Sequence, residues 1–547
     1  MRGKFDNTWK LSRFILRRER VTSLVWIVAI VLFSAALAPA MTSMFDDAGR
    51  MQFAESFNNP VMIAMMGPVY GIDNYTAGAM YGGMMLLWVM IAVAIMNIFL
   101  VVRHTRADEE HGRAEVVRSL PTGRLAGLSA AMTTALIVNI VLSLLTGLAL
   151  AATGIPSMDI GSCLMYAAVI GAVGLVFAAI AALFSQLSSN ASGATGMSIL
   201  VMGVFYLLRA AGDINGNEAV ACISPLGLGQ RSQAFVSNNI LPLPVLLAEA
   251  VVITLVAMKL NTIRDVDQGF IASRRGRAEA KENLLSPLGL TVRLLRKTVI
   301  LWIVVMLVLA ASYGSVVGRI HEFVGDSPEY LEVIGIPRPV VESMSDDTKA
   351  SIIAEYFGVF VTSMMALICA VPILVAAIRA RSEERDGLTE HILSKPVTRT
   401  RYLSGFVLIS FATSVVIQFV SAIGLYSSTA SNVGGLSFFT AGSLLKANLV
   451  YLPALWVMIG VAVLIIGFAP RATGIIWAYF AFTFFMMFFG NMPGLVPDFI
   501  QKLSPFSHIP RFPLDDVRFG PLAVLTVIAA ALTAAGFLFY RRRDSAQ

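Results

Sequence analysis

Apolar runs recur along the chain at lengths that suit a bilayer, near 21–43, 78–102, 125–151, 161–185, 194–211 and 243–260. A second set follows near 298–318, 354–378, 403–427, 443–468, 473–490 and 521–540. A helix crossing the hydrocarbon layer needs roughly 20 predominantly apolar residues. The pattern therefore predicts an all-α polytopic membrane protein with twelve transmembrane helices. Polar breaks separate the runs, and long loops follow the first and the seventh.

Composition agrees with this reading. The 547 residues are 57% hydrophobic and 14% charged, whereas soluble domains carry about 25% charged residues. A net charge of +7 would point to nucleic acid in a soluble protein. Here the basic residues flank apolar runs, so they read as orientation signals and no nucleic-acid partner is expected. Arg17, Arg18, Arg20, Arg274, Arg275, Arg277 and Arg541 to Arg543 fall on one side, and Asp46, Asp47, Glu55, Asp73, Glu322, Asp326, Glu329, Glu332, Asp346 and Asp347 on the other. The positive-inside rule then places both termini in the cytoplasm. The basic N-terminal segment runs into a full-length span, so the first span is expected to remain in the mature protein. Cys163, Cys222 and Cys369 are too far apart for a disulfide framework or a zinc pair, and the five histidines lack ligand spacing.

One charged stretch occurs twice, as RADEEHGRAEVVRSLPTGRLAGLS from Arg106 and as RSEERDGLTEHILSKPVTRTRYLS from Arg381. Without a gap the copies share Arg106/Arg381, Glu109/Glu384, Gly112/Gly387, Glu115/Glu390, Ser119/Ser394, Pro121/Pro396, Arg124/Arg399, Leu128/Leu403 and Ser129/Ser404. Each lies between two apolar runs, and its proline disfavours helix at the residue before it. Other matches keep a similar offset: Arg17, Arg20 and Trp26-Ile27-Val28 with Arg293, Arg296 and Trp302-Ile303-Val304, then Ala194-Thr195-Gly196 with Ala472-Thr473-Gly474, and Arg264-Asp265 with Arg543-Asp544. Two tandem six-helix halves are expected, residues 1–260 and 287–547, joined by a basic cytoplasmic linker at 261–286 and related by a parallel pseudo-twofold axis. Each half should open with an interfacial elbow, carrying Trp9, Phe14 and Ile15 in one and Leu290, Leu294 and Leu295 in the other.

The repeated acid-Glu-x-x-Gly-x-x-Glu-x-x-x-Ser-x-Pro-x-x-Arg arrangement resembles the cytoplasmic coupling element of ABC-2-type permeases, the membrane subunits of ATP-driven exporters. Two copies in one chain look most like the fused double-length permeases of the tetronasin-resistance type, the polyketide antibiotic exporters. The resemblance implies that Glu109, Gly112, Glu115, Pro121 and Arg124, with Glu384, Gly387, Glu390, Pro396 and Arg399, meet two copies of a P-loop ATPase subunit. Glu109, Glu115, Glu384 and Glu390 are expected to face water there. No G-x-x-x-x-G-K-[ST] sequence occurs, so ATP and Mg are expected on that partner, with no cofactor and no enzymatic activity on this chain. The cargo would be a hydrophobic small molecule or lipid-like compound, carried out across a bacterial-type plasma membrane.

Methionines and phenylalanines at Met84, Met85, Met202, Phe205, Met364, Met365, Phe485 and Phe489 supply adaptable apolar surface, and in such exporters their spans line the substrate path. The resemblance also places short re-entrant helices at Ser224-Pro225 and Ser504-Pro505. Arg209 and Glu249 lie within spans, where ionisable groups cost about 2.5–3.5 kcal/mol at the centre. They are expected to pair across consecutive helices, the alternative being a substrate or proton site at Glu249. The rival reading is a secondary multidrug antiporter of the major facilitator type, which also has twelve spans. Its expected loop after the second span is a short G-x-x-x-D-R-x-G-R-R pattern, unlike the longer, glutamate-bearing loop here.

Overall fold

The computed structural model describes residues 3–44, 47–57, 60–265, 268–271, 279, 284, 286–317, 346–429, 440–489 and 497–543. Asp46, Arg274, Arg275, Arg277, Glu322, Asp326, Glu329, Glu332, Asp544 and most of the expected linker lie outside the described residues. All secondary structure among the described residues is helical. The chain separates into two compact units, Met1–Gly276 and Arg277–Gln547.

The first unit contains α1 (Thr8–Met44), α2 (Asp47–Phe57), α3 (Pro60–Met66), α4 (Ala77–His104), α5 (Arg106–Glu110), α6 (Arg113–Ser119), α7 (Ala126–Ala151), α8 (Ile160–Leu187), α9 (Ala191–Ile214), α10 (Glu218–Cys222), α11 (Pro225–Gln230) and α12 (Pro242–Ile263). Its helix starts are chemically specified. Thr76 accepts from the Ala79 N–H, Asp159 from Gly161 and Ser162, and Asn190 from Gly193, which satisfies N–H groups that have no partner inside the helix. Helix α8 is the hub of this unit, with α4, α7 and α12 packed around it. Its run of Ala and Gly lets neighbours approach closely, the usual solution where lipid supplies no hydrophobic drive between helices.

The second unit contains α13 (Pro287–Val317), α14 (Asp346–Arg385), α15 (Leu388–Leu393), α16 (Arg399–Thr429), α17 (Ala441–Leu449), α18 (Leu452–Phe468), α19 (Gly474–Phe489), α20 (Asp498–Gln501) and α21 (Phe519–Arg542). Helices α13 and α16 pack along each other, as do α18 and α21. The second pair meets at Gly467 and Gly536. A Cβ on Gly536 would sit 2.7 Å from the carbonyl oxygen of Val463, so any larger residue there forces the helices apart.

Eleven helices among the described residues are long and apolar enough to cross a membrane. The expected eleventh run forms α19, whose 16 described residues rise about 24 Å at 1.5 Å per residue, with residues 490–496 outside the described residues. The tenth run breaks between α17 and α18, where Pro453 begins the second piece. The expected elbows are not separate segments. Residues 8–20 continue into α1 as one 37-residue helix, and Pro287–Val317 is likewise continuous. Neither contains a glycine or proline break at the start of the apolar run. Ile15 and Leu295 are buried within their units, whereas Trp9 and Phe14 are exposed.

Candidate functional site

In both copies of the charged stretch, a glycine turns the chain between two helical pieces. Gly112 has φ 70° and Gly387 φ 75°, a left-handed conformation that costs other L-residues energy because of their Cβ. In the first copy α4 ends at Thr105, followed by α5 and, after Gly112, α6. In the second, α14 runs unbroken to Arg385 before Gly387 and α15. Glu115 and Glu390 then occupy equivalent places in the first turns of α6 and α15, where the helix dipole favours a carboxylate. Both are exposed, as are Pro121 and Pro396.

Glu109 and Glu384 point the other way. The Glu109 carboxylate accepts from Arg264 Nη2 at 2.6 and 2.8 Å and from Arg106 Nη1 at 2.7 Å. Side-chain exposure is 9% for Glu109, 2% for Arg106 and 4% for Arg264. Glu384 repeats the arrangement, accepting from Arg543 Nη2 and, at 3.1 Å, from Arg381 Nη1. It is 14% exposed. The expectation that all four glutamates face water is therefore corrected for Glu109 and Glu384. Each is enclosed by two guanidinium groups that neutralise it inside its own unit.

The contacts continue in parallel. Arg264 and Arg543 are the residues that terminate α12 and α21. Arg124 Nη2 donates to the Arg264 carbonyl at 2.8 Å, and Arg399 Nη1 donates to the Arg543 carbonyl, in each case a carbonyl at a helix end. Arg106 Nη2 reaches Ser189 O at 2.7 Å, and Arg381 Nε reaches Pro470 O at 3.1 Å, both just before the next helix begins. Each unit thus joins its charged stretch, the start of the following long helix, the turn before its fifth apolar run and the end of its last helix. Matching the two halves by sequence pairs Arg264 with Arg543 but gives them no role. Arginine suits the position because its rigid planar fork of five N–H donors spans a carboxylate and separate carbonyls, which the compact ammonium of Lys matches less well.

The surroundings differ. In the first unit Arg18 binds Asp108 at 2.9 and 3.1 Å, Glu19 lies 2.9 Å from His104 and 3.1 Å from Arg103, and Glu110 accepts from the Ala191 N–H at 2.9 Å. The aligned positions for Arg18 and Glu19 are Leu294 and Leu295. There the corresponding acid, Glu383, pairs at 2.5 Å with Arg379 on its own helix.

At the opposite end of the first unit, Arg209 is fully buried. It does not pair with Glu249, and the expectation of that pair is corrected. Its guanidinium donates to Ile63 O at 3.3 Å and to Ala64 O, while Tyr206 Oη donates to Met65 O at 3.2 Å and Gln230 Nε2 to Met66 O. Side chains of α9 and α11 thereby reach each of the last four carbonyls of α3, of which that of Ile63 also accepts from the Gly67 N–H at 2.9 Å. Asp213, 3.5 Å from Arg209 and 2.7 Å from Arg231, balances the charge. Ser224 caps α11 through the Leu226 and Gly227 N–H groups, and α11 packs against α4, α8, α9 and α12. Ser504 leads into a short 3₁₀ turn, Pro505–His508. Glu249 is half-buried on α12 and has no ion pair or hydrogen bond among the described residues.

The family described as "Multidrug efflux system permease Rv1217c, C-terminal domain" matches residues 12–260 and 284–541. The multidrug efflux system permease protein Rv1217c of Mycobacterium tuberculosis (strain ATCC 25618 / H37Rv) is 32% identical over 548 aligned positions, covering 99% of this chain and 95% of the relative. The chain belongs to the Rv1217c-type multidrug efflux permease family. It is a multi-pass membrane protein.

Among the residues expected to line a path through this Rv1217c-type permease, Met84, Met85, Met202, Phe205 and Met364 are half-buried and Phe485 is exposed. They leave apolar surface at the boundary of their unit. Met365 is fully buried, so within its unit it packs in the core. Phe205 stacks edge-on against Phe177 at 6.4 Å. The side chain of Phe489 lies outside the described residues.

Proposed function

We propose that this chain is the membrane subunit of an ATP-driven exporter of the ABC-2 class, with two six-helix halves fused. Twelve helices would cross a bacterial-type plasma membrane, both termini being cytoplasmic. The related permease's name supports efflux of drugs, and the apolar unit boundaries suit hydrophobic or amphipathic cargo. Energy would come from two copies of a separate P-loop ATPase that carry ATP and Mg. The observation that carries this reading is the duplicated charged element with its matching contacts. Each copy presents an exposed short helix, with Glu115 or Glu390 outward, while its base is anchored in the membrane unit. Closure of the ATPases would push on both elements and open the path outward.

The test is the purified chain with and without soluble partners from its own cell. Alone it should hydrolyse no ATP, and hydrolysis should appear with a co-purifying ATPase. Glu115→Lys with Glu390→Lys should weaken that association severalfold, and more so at low salt, because exposed charge contacts are screened over about 3 Å at 1 M salt. Full association and turnover in the folded double variant would refute the assigned docking role.

A further inference from the structure

We infer that Arg264 and Arg543 are positioning residues that carry the movement of each charged element to the last long helix of its unit. The inference rests on the ATP-driven reading above and extends it from where force enters to where it goes.

The route follows from the bonds. If an element were tied only to the helix from which it emerges, a push on α6 or α15 would move α4 or α14 alone. Instead the carboxylate at the base of each element is gripped by the arginine that ends α12 or α21. That arginine's own carbonyl is held by Arg124 or Arg399, at the start of the next long helix. The last helix is thus bonded on two sides, through its terminal side chain and its terminal backbone. Arg543 also donates to Ile466 O at 2.8 Å near the end of α18 and lies over the Tyr540 ring at 5.2 Å. Arg264 instead donates to Gln268 O at 2.9 Å.

Two alternatives are simpler. A surface ion pair would contribute little and transmit nothing, but the Glu109 and Arg264 side chains are almost fully enclosed. A cap serving only its own helix end would need no acid from a stretch 155 residues away. The same four side chains, Arg106, Glu109, Arg124 and Arg264, recur as Arg381, Glu384, Arg399 and Arg543 with the same pairings. Their surroundings differ between the units, so the recurrence is confined to the linkage itself.

The experiment compares wild type with Arg264→Gln, Arg543→Gln, the double variant and Arg264→Lys, each in liposomes with the co-purified ATPase. ATP turnover and export of a fluorescent hydrophobic dye are measured together. In the double variant we expect hydrolysis to persist while dye exported per ATP falls about tenfold, a factor equal to ~1.4 kcal/mol. Single variants should fall less, and Arg264→Lys should recover part of the loss. Unchanged dye per ATP in the folded double variant overturns the inference. So does a parallel loss of hydrolysis and export with the ATPase no longer bound, which assigns the arginines to docking. A second arm needs no partner: amide exchange across residues 106–119 and 381–393 in the purified chain should rise about tenfold in the double variant. Unchanged exchange shows that the linkage does not hold the element. Absence of any ATPase from wild type would instead defeat the ATP-driven reading.

Discussion

Arg209 shows how a single side chain can reassign a polar site within an apolar bundle. Its charge was legible in the sequence as an exception within a hydrophobic run, but its partner was not, because α3 is only seven residues long and joins α9 through backbone oxygens. Carbonyl groups are present at every residue and leave no mark in a sequence. Removing the guanidinium strands the Ala64 carbonyl and leaves the Ile63 carbonyl with the Gly67 N–H alone, so Arg209→Gln should destabilise the protein by about 2 kcal/mol, read as a lower thermal unfolding midpoint in detergent. A midpoint within error of wild type would show that the cap is dispensable. Glu249 predicts the opposite. It has no partner among the described residues, and by the Arg264/Arg543 alignment its counterpart is Ile528, itself exposed. Glu249→Ile should therefore unfold at or above the wild-type temperature.

At the scale of elements, periodicity predicted the long helices well because each must satisfy its backbone internally once in lipid. It erred where a helix continues past its apolar part, as α1 and α14 do, since polar residues such as Arg17, Arg18 and Arg20 are good helix formers outside the membrane. The charged elements were recognisable from repeated residues, yet the inward direction of Glu109 depends on Arg264, far along the chain. Their turns are testable directly. Space is open around both Gly112 and Gly387, where an added Cβ would meet no atom within 4 Å, so an alanine there encounters only backbone strain. Gly112→Ala and Gly387→Ala should each cost about 1 kcal/mol, seen as increased amide exchange in α6 or α15 with the rest of its unit unchanged. No change would mean that the left-handed turn is not maintained in solution.

At the scale of the molecule, the two compact units meet in sequence at Gly276 and Arg277, within the stretch that composition marked as a linker. The sequence showed matching segments at a near-constant offset because side chains needed at helix ends recur in both parts. It showed that Arg18, Glu19 and His104 in one part correspond to Leu294, Leu295 and Arg379 in the other, but not that these positions gather at the base of the charged stretch. Cutting the chain between residues 271 and 286 and co-expressing the pieces should restore export to within about twofold of the intact protein, since domains with their own cores fold as units. Loss of export despite both pieces being inserted would show that the connection itself is required.

The enclosed glutamates also separate what a partner can read from what the bundle needs. Outward positions Arg113, Val116 and Leu120 are Leu388, His391 and Lys395 in the second copy, whereas Arg106, Glu109 and Arg124 recur unchanged. On the proposed docking role, partner choice can therefore drift, or be redesigned, on one side of each short helix without rewiring the other. If ATPases dock as proposed, a permease built this way could accept two dissimilar motors, one for each unit, and still deliver the same stroke.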